Sequence, residues 1–164
     1  MSQYDITQVC LNGHIRNDTI GLRPERNEKF CAKCGEKTIT QCPECSVPIR
    51  GAELIRDDWD GGLRRWTSLT NPPAHCTACG KPFPWTIKAL NATKELAEEL
   101  ELSNDEAAKL EQDATDIISE NPRTQVATLR IKKVMQKIGE EGANILRGIL
   151  VNLACEAAKK QLGW

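Results

Sequence analysis

Apolar residues recur at helical spacing only in the second half of the chain. After Pro84 they return every three or four residues, a pattern that predicts amphipathic helices. The first helix carries four of them on one face: Ile87, Leu90, Ala97 and Leu100. Ser103 followed by Glu106 is a capping-box pattern, which opens a second helix. The apolar stripe of that helix is Ala107, Leu110, Ala114, Ile117 and Ile118.

Two more helices are predicted before the C-terminus. Asn121-Pro122 ends the second helix, because the residue before a proline disfavours helical backbone. The third helix has Ala127, Ile131, Val134 and Ile138 on its apolar side. Gly139 and Gly142 predict a break or kink, and a last helix follows over residues 143–158. Its apolar positions are Ile145, Leu146, Ile149, Leu150, Leu153 and Ala157.

The first 84 residues show no helical period. A β-branched run over 37–41 predicts a short extended piece, and residues 53–67 predict a hairpin that turns at Asp60-Gly61-Gly62. The predicted fold class is therefore α+β. Residues 1–85 are predicted to form a small module with short β-hairpins. Residues 86–164 form a helical domain, a hairpin or bundle of three to four helices.

Composition places the chain among globular proteins and gives its cysteines a meaning. Hydrophobic residues make up 40% and charged residues 27%, too apolar a mixture for a disordered chain. The N-terminal residues show no signal-peptide pattern, and no apolar stretch reaches eighteen residues, so we expect a cytoplasmic protein. In a reducing compartment, eight cysteines favour metal binding over disulfides.

Seven of the cysteines and one histidine fall into four closely spaced pairs. These are Cys10-x3-His14, Cys31-x2-Cys34, Cys42-x2-Cys45 and Cys76-x2-Cys79. A tight turn delivers two ligands from one backbone, and zinc binds four such ligands at the corners of a tetrahedron. Eight donors complete two closed sites, which predicts two structural Zn²⁺ per chain and a double zinc-ribbon module over residues 1–85. A module this poor in apolar residues then needs metal to fold.

The pairing of the four turns has two solutions. Pairing in chain order joins Cys10/His14 with Cys31/Cys34, and Cys42/Cys45 with Cys76/Cys79, so that each site ends in a C-x-x-C-G turn. The crossed alternative joins the second and third turns, which only seven residues separate. We favour the sequential scheme. His75 breaks the C-x2-C spacing and is predicted to lie outside the ligand set, and Cys155 is predicted to be a small buried residue in the last helix.

These motifs carry a resemblance to a known family. The segments that carry it are Cys10-Leu11-Asn12-Gly13-His14, Phe30-Cys31-x-x-Cys34-Gly35, Cys42-Pro43-x-Cys45 and Cys76-x-x-Cys79-Gly80-Lys81-Pro82-Phe83-Pro84-Trp85. They resemble a family of small bacterial proteins that has a double zinc ribbon, a helical tail and no assigned function. The resemblance is strong through Thr86 and looser beyond. It implies the same eight ligands and brings no activity with it.

Charge argues against nucleic acid as the first choice of partner. Residues 1–90 carry 12 basic and 10 acidic side chains, and metal-bound thiolates add further negative charge. Nucleic-acid modules are usually distinctly basic. Arg64-Arg65-Trp66 in the predicted hairpin could still stack on a base, so a nucleic-acid-binding ribbon stays a second hypothesis.

The helical half is charge-polarised and ends in its most apolar segment. Residues 91–120 are acidic and residues 121–164 are basic, which favours two helical segments packed with complementary faces. The alternative is a stripe that binds phosphate or anionic lipid: Arg130, Lys132, Lys133 and Lys137. The last helix is apolar around much of its circumference and predicts self-association or a protein partner. The residues expected to bind it are Ile145, Leu146, Ile149, Leu150 and Leu153.

No residue pattern predicts an enzyme. The chain has no phosphate loop, no nucleophile elbow and no H-E-x-x-H motif. The acidic run Asp57-Asp58-Trp59-Asp60 is as well explained by a polar turn as by a cation site. The sequence thus predicts a non-enzymatic zinc-binding interaction module with a helical tail for self-association or partner binding. A membrane-associated effector is the third hypothesis, weakened by Arg147, Asn152 and Glu156.

Overall fold

The computed structural model describes residues 2–56 and 59–164, and the chain divides into two units, Met1–Trp85 and Thr86–Trp164. The strands are β1 (Ser2–Ile6), β2 (Gln8–Cys10), β3 (Ile15–Asn17), β4 (Thr38–Ile39), β5 (Arg50–Arg56) and β6 (Leu63–Thr67). The helices are α1 (Pro84–Glu99), α2 (Asn104–Ser119), α3 (Thr124–Leu150) and α4 (Glu156–Leu162), and Pro24–Arg26 form a 3₁₀ turn. Short antiparallel sheets and separate helices confirm the α+β class.

Two three-stranded antiparallel sheets build the first unit. Their strand orders are β1-β5-β6 and β3-β2-β4. The backbone N–H of Thr7, between β1 and β2, donates to the carbonyl of Ile49 at 2.9 Å and so ties the start of β2 to the segment before β5. Among the residues of this unit whose burial is described, the buried apolar ones apart from cysteines are few: Val9, Ile49, Ala52, Leu54, Phe83 and Trp85. A core this small leaves much of the folding free energy to other interactions.

The predicted hairpin over 53–67 is confirmed. Strands β5 and β6 pair antiparallel, with Leu54 opposite Trp66. Residues 57 and 58 lie outside the described part of the chain, so the first half of the acidic run Asp57-Asp58-Trp59-Asp60 receives no structural account. The same holds for the side chains of Arg64 and Arg65. The sequence did not predict β1, which pairs with the other edge of β5.

Helix α1 begins at Pro84 as predicted, but its buried face differs from the predicted one. Ile87 is 47% exposed, whereas Thr86 and Thr93 are buried beside Leu96 and Ala97. Burial of Thr93 is tolerated because its hydroxyl donates to the carbonyl of Ala89 one turn earlier, at 2.9 Å. The apolar pattern was therefore wrong at Ile87 and did not predict the buried threonines, whereas Ala97 is buried as predicted and Leu90 and Leu100 are partly buried.

Helix α2 follows the sequence closely. Its capping box is present: the Ser103 N–H donates to Glu106 at 3.1 Å, and the Glu106 N–H donates to the Ser103 hydroxyl at 3.4 Å. Leu110, Ala114, Ile117 and Ile118 are buried and Ala107 is partly buried. The helix ends at Ser119, before Pro122, as predicted.

The predicted break in the basic helix is confirmed at Gly139. This residue has φ 78° and ψ 177°, a conformation that is essentially restricted to glycine, whereas Gly142 lies buried within the following helical turns. The last predicted helix is wrong at its end. Helix α3 stops at Leu150, Cys155 precedes α4, and the Cys155 N–H donates to the carbonyl of Ile117 at 2.8 Å.

The opposite charges of the two helical segments meet between α2 and α3. Asp116 pairs with Arg123 at 3.0 Å, Asp113 pairs with Arg130 at 3.3 Å, and Glu106 pairs with Lys137. Two residues of the basic stripe, Arg130 and Lys137, are thus engaged within the chain, while Lys132 and Lys133 are exposed. This arrangement agrees with complementary packing of the two segments.

The apolar residues expected at a partner surface are mostly core residues. Leu146 and Leu150 are fully buried, and Leu153 is nearly so. Ile149 is partly buried, and Ile145 is exposed. They cannot contribute as a set to a docking surface, because three of the five are covered within the chain. Within the described residues, no helix is both long and apolar enough to cross a membrane.

The Glu106 cluster predicts a pH-dependent stability of the helical unit. The Lys137 ammonium, with the Ser103 N–H and hydroxyl, lowers the pKa of Glu106 from 4.5 to about 2. Since the folded form favours the charged carboxylate, its contribution is complete above pH 4.5 and is lost as the pH falls toward 2. We expect Glu106→Gln to flatten the decline in thermal unfolding temperature between about pH 5 and pH 2, followed by circular dichroism at 222 nm.

The matched control for this prediction is Glu111→Gln, an exposed residue of the same helix. It should follow the wild-type pH profile. Any metal released in acid is released from all three proteins, so the difference between the variants reports on Glu106. Identical profiles for wild type and Glu106→Gln would show that the cluster does not stabilise the fold.

Candidate metal centres

The first pair of donors comes from the turn between β2 and β3. Strand β2 ends at Cys10, whose N–H donates to the carbonyl of His14 at 3.0 Å, and the Gly13 N–H returns to the Cys10 carbonyl at 2.8 Å. Gly13 has φ +86°, and a Cβ there would lie 3.0 Å from the Trp85 Cβ. Glycine is needed at this position for both its conformation and its space. The turn thus brings the donor atoms of Cys10 and His14 close together.

Three hairpins of one design supply the other six donors. In each, the N–H of the first cysteine donates across the hairpin, to Glu36, Val47 or Lys81, at 2.8 to 2.9 Å. Each is closed by one antiparallel bridge: Phe30 with Lys37, Gln41 with Pro48, and His75 with Pro82. The residue after the second cysteine has positive φ in all three: Gly35 72°, Ser46 61° and Gly80 70°. The turn that reads C-x-x-C-G in two hairpins thus occurs three times, because Ser46 takes the place of the glycine in the middle hairpin.

The structure brings the eight donors together in two groups, which match the sequential scheme. Site 1 consists of Cys10, His14, Cys31 and Cys34; site 2 consists of Cys42, Cys45, Cys76 and Cys79. Within each group the ligand atoms all lie within 4.8 Å of one another. Each site therefore has the number, type and proximity of donors that a four-coordinate metal ion requires.

The distances between donors fit the edges of a metal tetrahedron. The sulfur atoms of Cys10 and Cys34 are 3.7 Å apart, and in site 2 the pairs Cys42/Cys79 and Cys45/Cys76 are separated by 3.8 and 3.6 Å. Tetrahedral zinc with Zn–S bonds of about 2.3 Å places sulfur atoms about 3.8 Å apart. A disulfide would need about 2.05 Å.

The imidazole of His14 is the fourth donor of site 1, at similar distances from the sulfur atoms. Its Nδ1 lies 3.4 Å from the Cys10 sulfur and 3.7 Å from the Cys31 sulfur. A tetrahedral zinc with one nitrogen ligand has S···N edges of about 3.6 Å. Burial lowers the pKa of His14, and the nearby cations Lys33 and Arg16 lower it further. The neutral ring, which is the form that binds metal, is therefore favoured.

The close approach of the four thiols in site 2 gives them different pKa values. The N–H groups of Cys79 and Ala78 lower the pKa of Cys76 to about 6. The Val47 N–H favours the Cys45 thiolate, but burial and the neighbouring thiols outweigh it and raise the pKa of Cys45 to about 12. Four thiolates in this space repel one another unless a cation neutralises them. The site is thus chemically suited to a divalent ion.

One ligand of each site faces solvent. Cys10, Cys31, Cys42 and Cys76 are buried, Cys45 is partly buried, and Cys34 and Cys79 are exposed. The backbone N–H of His14 lies 3.3 Å from the Cys10 sulfur, and that of Ala78 lies 3.4 Å from the Cys76 sulfur. The Asn12 amide approaches the exposed Cys34 sulfur at 3.5 Å. Such donors stabilise thiolate charge on both the buried and the exposed sides.

An aromatic pair lies beside the turn of site 1. The rings of Phe83 and Trp85 are stacked with centroids 4.7 Å apart, and the Trp85 ring N–H donates to the Pro73 carbonyl at 2.8 Å. Both follow the last hairpin of site 2, where the Phe83 N–H donates to the Ala74 carbonyl at 3.0 Å. Because Trp85 packs on Gly13, the segment that follows the last hairpin of site 2 also contacts the turn of site 1.

Two other residues singled out in the sequence lie outside the sites. His75 is partly buried and takes part in the bridge to Pro82, but its ring belongs to neither group. Cys155 is partly exposed and lies just before α4. The prediction that it is a buried helical residue is therefore wrong. Sequence spacing had separated both from the ligands.

Comparison with known proteins identifies a family. A family model described as "Uncharacterized protein conserved in bacteria (DUF2321)" matches residues 3–162. No curated protein and no solved structure matches the chain. The match covers both the cysteine-rich unit and the helical unit.

Proposed function

The chain belongs to this bacterial family of uncharacterised proteins (DUF2321), and on that premise we propose that it is a non-enzymatic zinc-binding interaction module of the bacterial cytoplasm. Two structural Zn²⁺ ions fold the first unit, and the folded unit and its helical tail present surfaces to partners. The observation that carries the proposal is the pair of four-donor groups, whose donor–donor distances match zinc–thiolate and zinc–imidazole geometry.

Zinc is favoured by the chemistry of the donors. Thiolate and imidazole ligands in tetrahedral array suit zinc, and three thiolates with one imidazole form a common structural zinc site. Iron is the alternative for the four-cysteine site 2, since tetrahedral sulfur ligands also accept it. Site 1, with His14, favours zinc more strongly.

A structural role is favoured over a catalytic one. A catalytic zinc keeps one coordination position for water or substrate, whereas here four protein donors fill each tetrahedron. Structural zinc supplies folding free energy on the order of 10 kcal/mol per site, comparable with the whole stability of a domain. The small apolar core of the first unit needs such a contribution.

A partner surface on the helical unit is the remaining element of the proposal. Helix α3 exposes the apolar side chains of Val126, Leu129 and Ile145. They replace the buried leucines as the residues through which self-association or partner binding would occur. Truncation of Ile145 and Leu129 to alanine should then lower the native mass if the chain self-associates.

The test is metal content measured together with native mass on the full chain. We expect two zinc ions per chain by elemental mass spectrometry, and native mass spectrometry gives the oligomeric state of the same sample. Iron at one equivalent would transfer the assignment of site 2 to iron. Fewer than two metal ions in protein purified without chelator would overturn the proposal. A strict monomer at high concentration would leave the zinc assignment standing and would remove self-association.

A further inference from the structure

The hairpin that carries Cys31 and Cys34 presents an aromatic ring to solvent among lysines. We call Lys29, Phe30, Lys33 and Lys37 the knuckle patch; all four side chains are exposed, Phe30 by 54%. We propose that the knuckle patch binds single-stranded nucleic acid, with a base stacked on Phe30 and phosphates held by the lysines. The proposal rests on the proposed function, because metal in site 1 holds this hairpin in shape.

The geometry of the hairpin places the ring and the lysines side by side. Phe30 and Lys37 are bridge partners, and directly opposite residues of an antiparallel pair project to the same face. The ammonium of Lys29 lies 5.7 Å from the centroid of the Phe30 ring. Lys33 lies in the turn between the two cysteines, three residues after Phe30, and its side chain is exposed. An apolar ring is therefore fixed on a metal-braced hairpin with three cations near it.

The acidic side chains around the patch are largely engaged elsewhere. Glu28 is bound at both carboxylate oxygens by Arg16, at 2.8 and 3.0 Å. Glu36 accepts a hydrogen bond from the Lys37 backbone N–H at 3.2 Å. The carboxylate next to Lys29 in the sequence is thus neutralised by Arg16 and not by the patch. A zinc-loaded site 1 carries one net negative charge, from three thiolates and one Zn²⁺, and Glu36 carries another. With the three lysines, the net charge of this region is +1.

Single-stranded nucleic acid fits this combination better than other polyanions. Its unpaired bases offer π-faces that stack on an aromatic ring, while its phosphates pair with lysine ammonium groups. A duplex hides its base faces, so it could use only the lysines. An acidic peptide would likewise leave the exposed ring without a stacking partner. The ring is thus the feature that distinguishes these ligands.

The test measures fluorescence anisotropy of a labelled oligo(U) of about 15 nucleotides with the full-length, zinc-loaded chain. We expect binding at about 50 mM salt that weakens with a log–log slope of about −2, the value for three phosphate contacts on a single strand. A duplex of equal length and an acidic peptide of equal charge should bind more weakly. Phe30→Ala should weaken oligo(U) binding at least about fivefold, as expected for loss of one stacked base.

Variants of the lysines separate charge from stacking. Lys33→Gln combined with Lys37→Gln should flatten the salt slope by about 1.4, because two phosphate contacts are lost. Two matched controls lie in the helical unit: Ile87→Ala, an exposed apolar truncation, and Lys132→Gln combined with Lys133→Gln. Both controls should bind oligo(U) like wild type.

Metal content measured on each sample distinguishes the two proposals. Absence of oligo(U) binding by a chain that holds two zinc ions would overturn the nucleic-acid proposal and leave the zinc assignment intact. The nucleic-acid proposal also fails if Phe30→Ala binds like wild type, or if duplex or peptide binds as tightly as oligo(U). A wild-type chain that does not retain two metal ions would contradict the proposed function first.

Discussion

Replacement of Cys42 by serine is expected to lower the metal content from two ions to one per chain. Cys42 is buried in site 2, with its sulfur 3.8 Å from that of Cys79. A serine hydroxyl does not ionise near neutral pH and is a poor fourth ligand for zinc among three thiolates. Because metal binding supplies folding free energy on the order of 10 kcal/mol, loss of this ion should unfold the site 2 hairpins. Elemental analysis and sensitivity to proteolysis at residues 42–79 measure both effects.

The matched control is Cys155→Ser. Cys155 is a thiol outside both sites, and its substitution should leave two metal ions per chain. In Cys42→Ser most of the helical signal at 222 nm should remain, since α2, α3 and α4 belong to the second unit. Two metal ions in Cys42→Ser would contradict the assignment of site 2. A loss of metal in Cys155→Ser would bring that thiol into the ligand set.

The ligand sets could be anticipated because metal chemistry constrains spacing so strongly. A turn that offers two thiolates needs short spacing, and the count of eight donors closes two sites. The sequence could not reveal that the middle hairpin repeats the other two. Ser46 adopts a positive φ there, which non-glycine residues rarely do, so the expected glycine is missing.

The helical unit shows where tertiary contacts override periodic patterns. The apolar run after Ala143 continues past Leu150, yet the chain leaves the helix there. The Cys155 N–H reaches the carbonyl of Ile117, near the end of α2, where helical carbonyls lack partners of their own. The hydroxyl of Thr124 bonds the carbonyl of Asp116 at 2.9 Å in the same way. Such long-range bonds leave no mark on the local period.

The contacts between Trp85 and the turn of site 1 were also beyond the sequence, because they join residues far apart in the chain. They have a consequence for metal binding. His14 follows Gly13 directly, so the ring that packs on Gly13 limits how the site 1 turn can move. Trp85 itself is held by stacking on Phe83 and by its bond to Pro73. Site 1 is therefore supported from the segment that follows site 2.

We accordingly expect Trp85→Ala to weaken metal binding at site 1 at least about tenfold, although no ligand is changed. Trp85 is 3% exposed, and truncation of such a tryptophan costs about 3–5 kcal/mol, of which about 1.4 kcal/mol suffices for that tenfold loss. Competition with a zinc chelator measures the affinity. Trp85→Phe should retain most of it, and Trp59→Ala, at a 97% exposed position, all of it. Wild-type zinc affinity in a destabilised Trp85→Ala would show that the ring supports the fold independently of site 1.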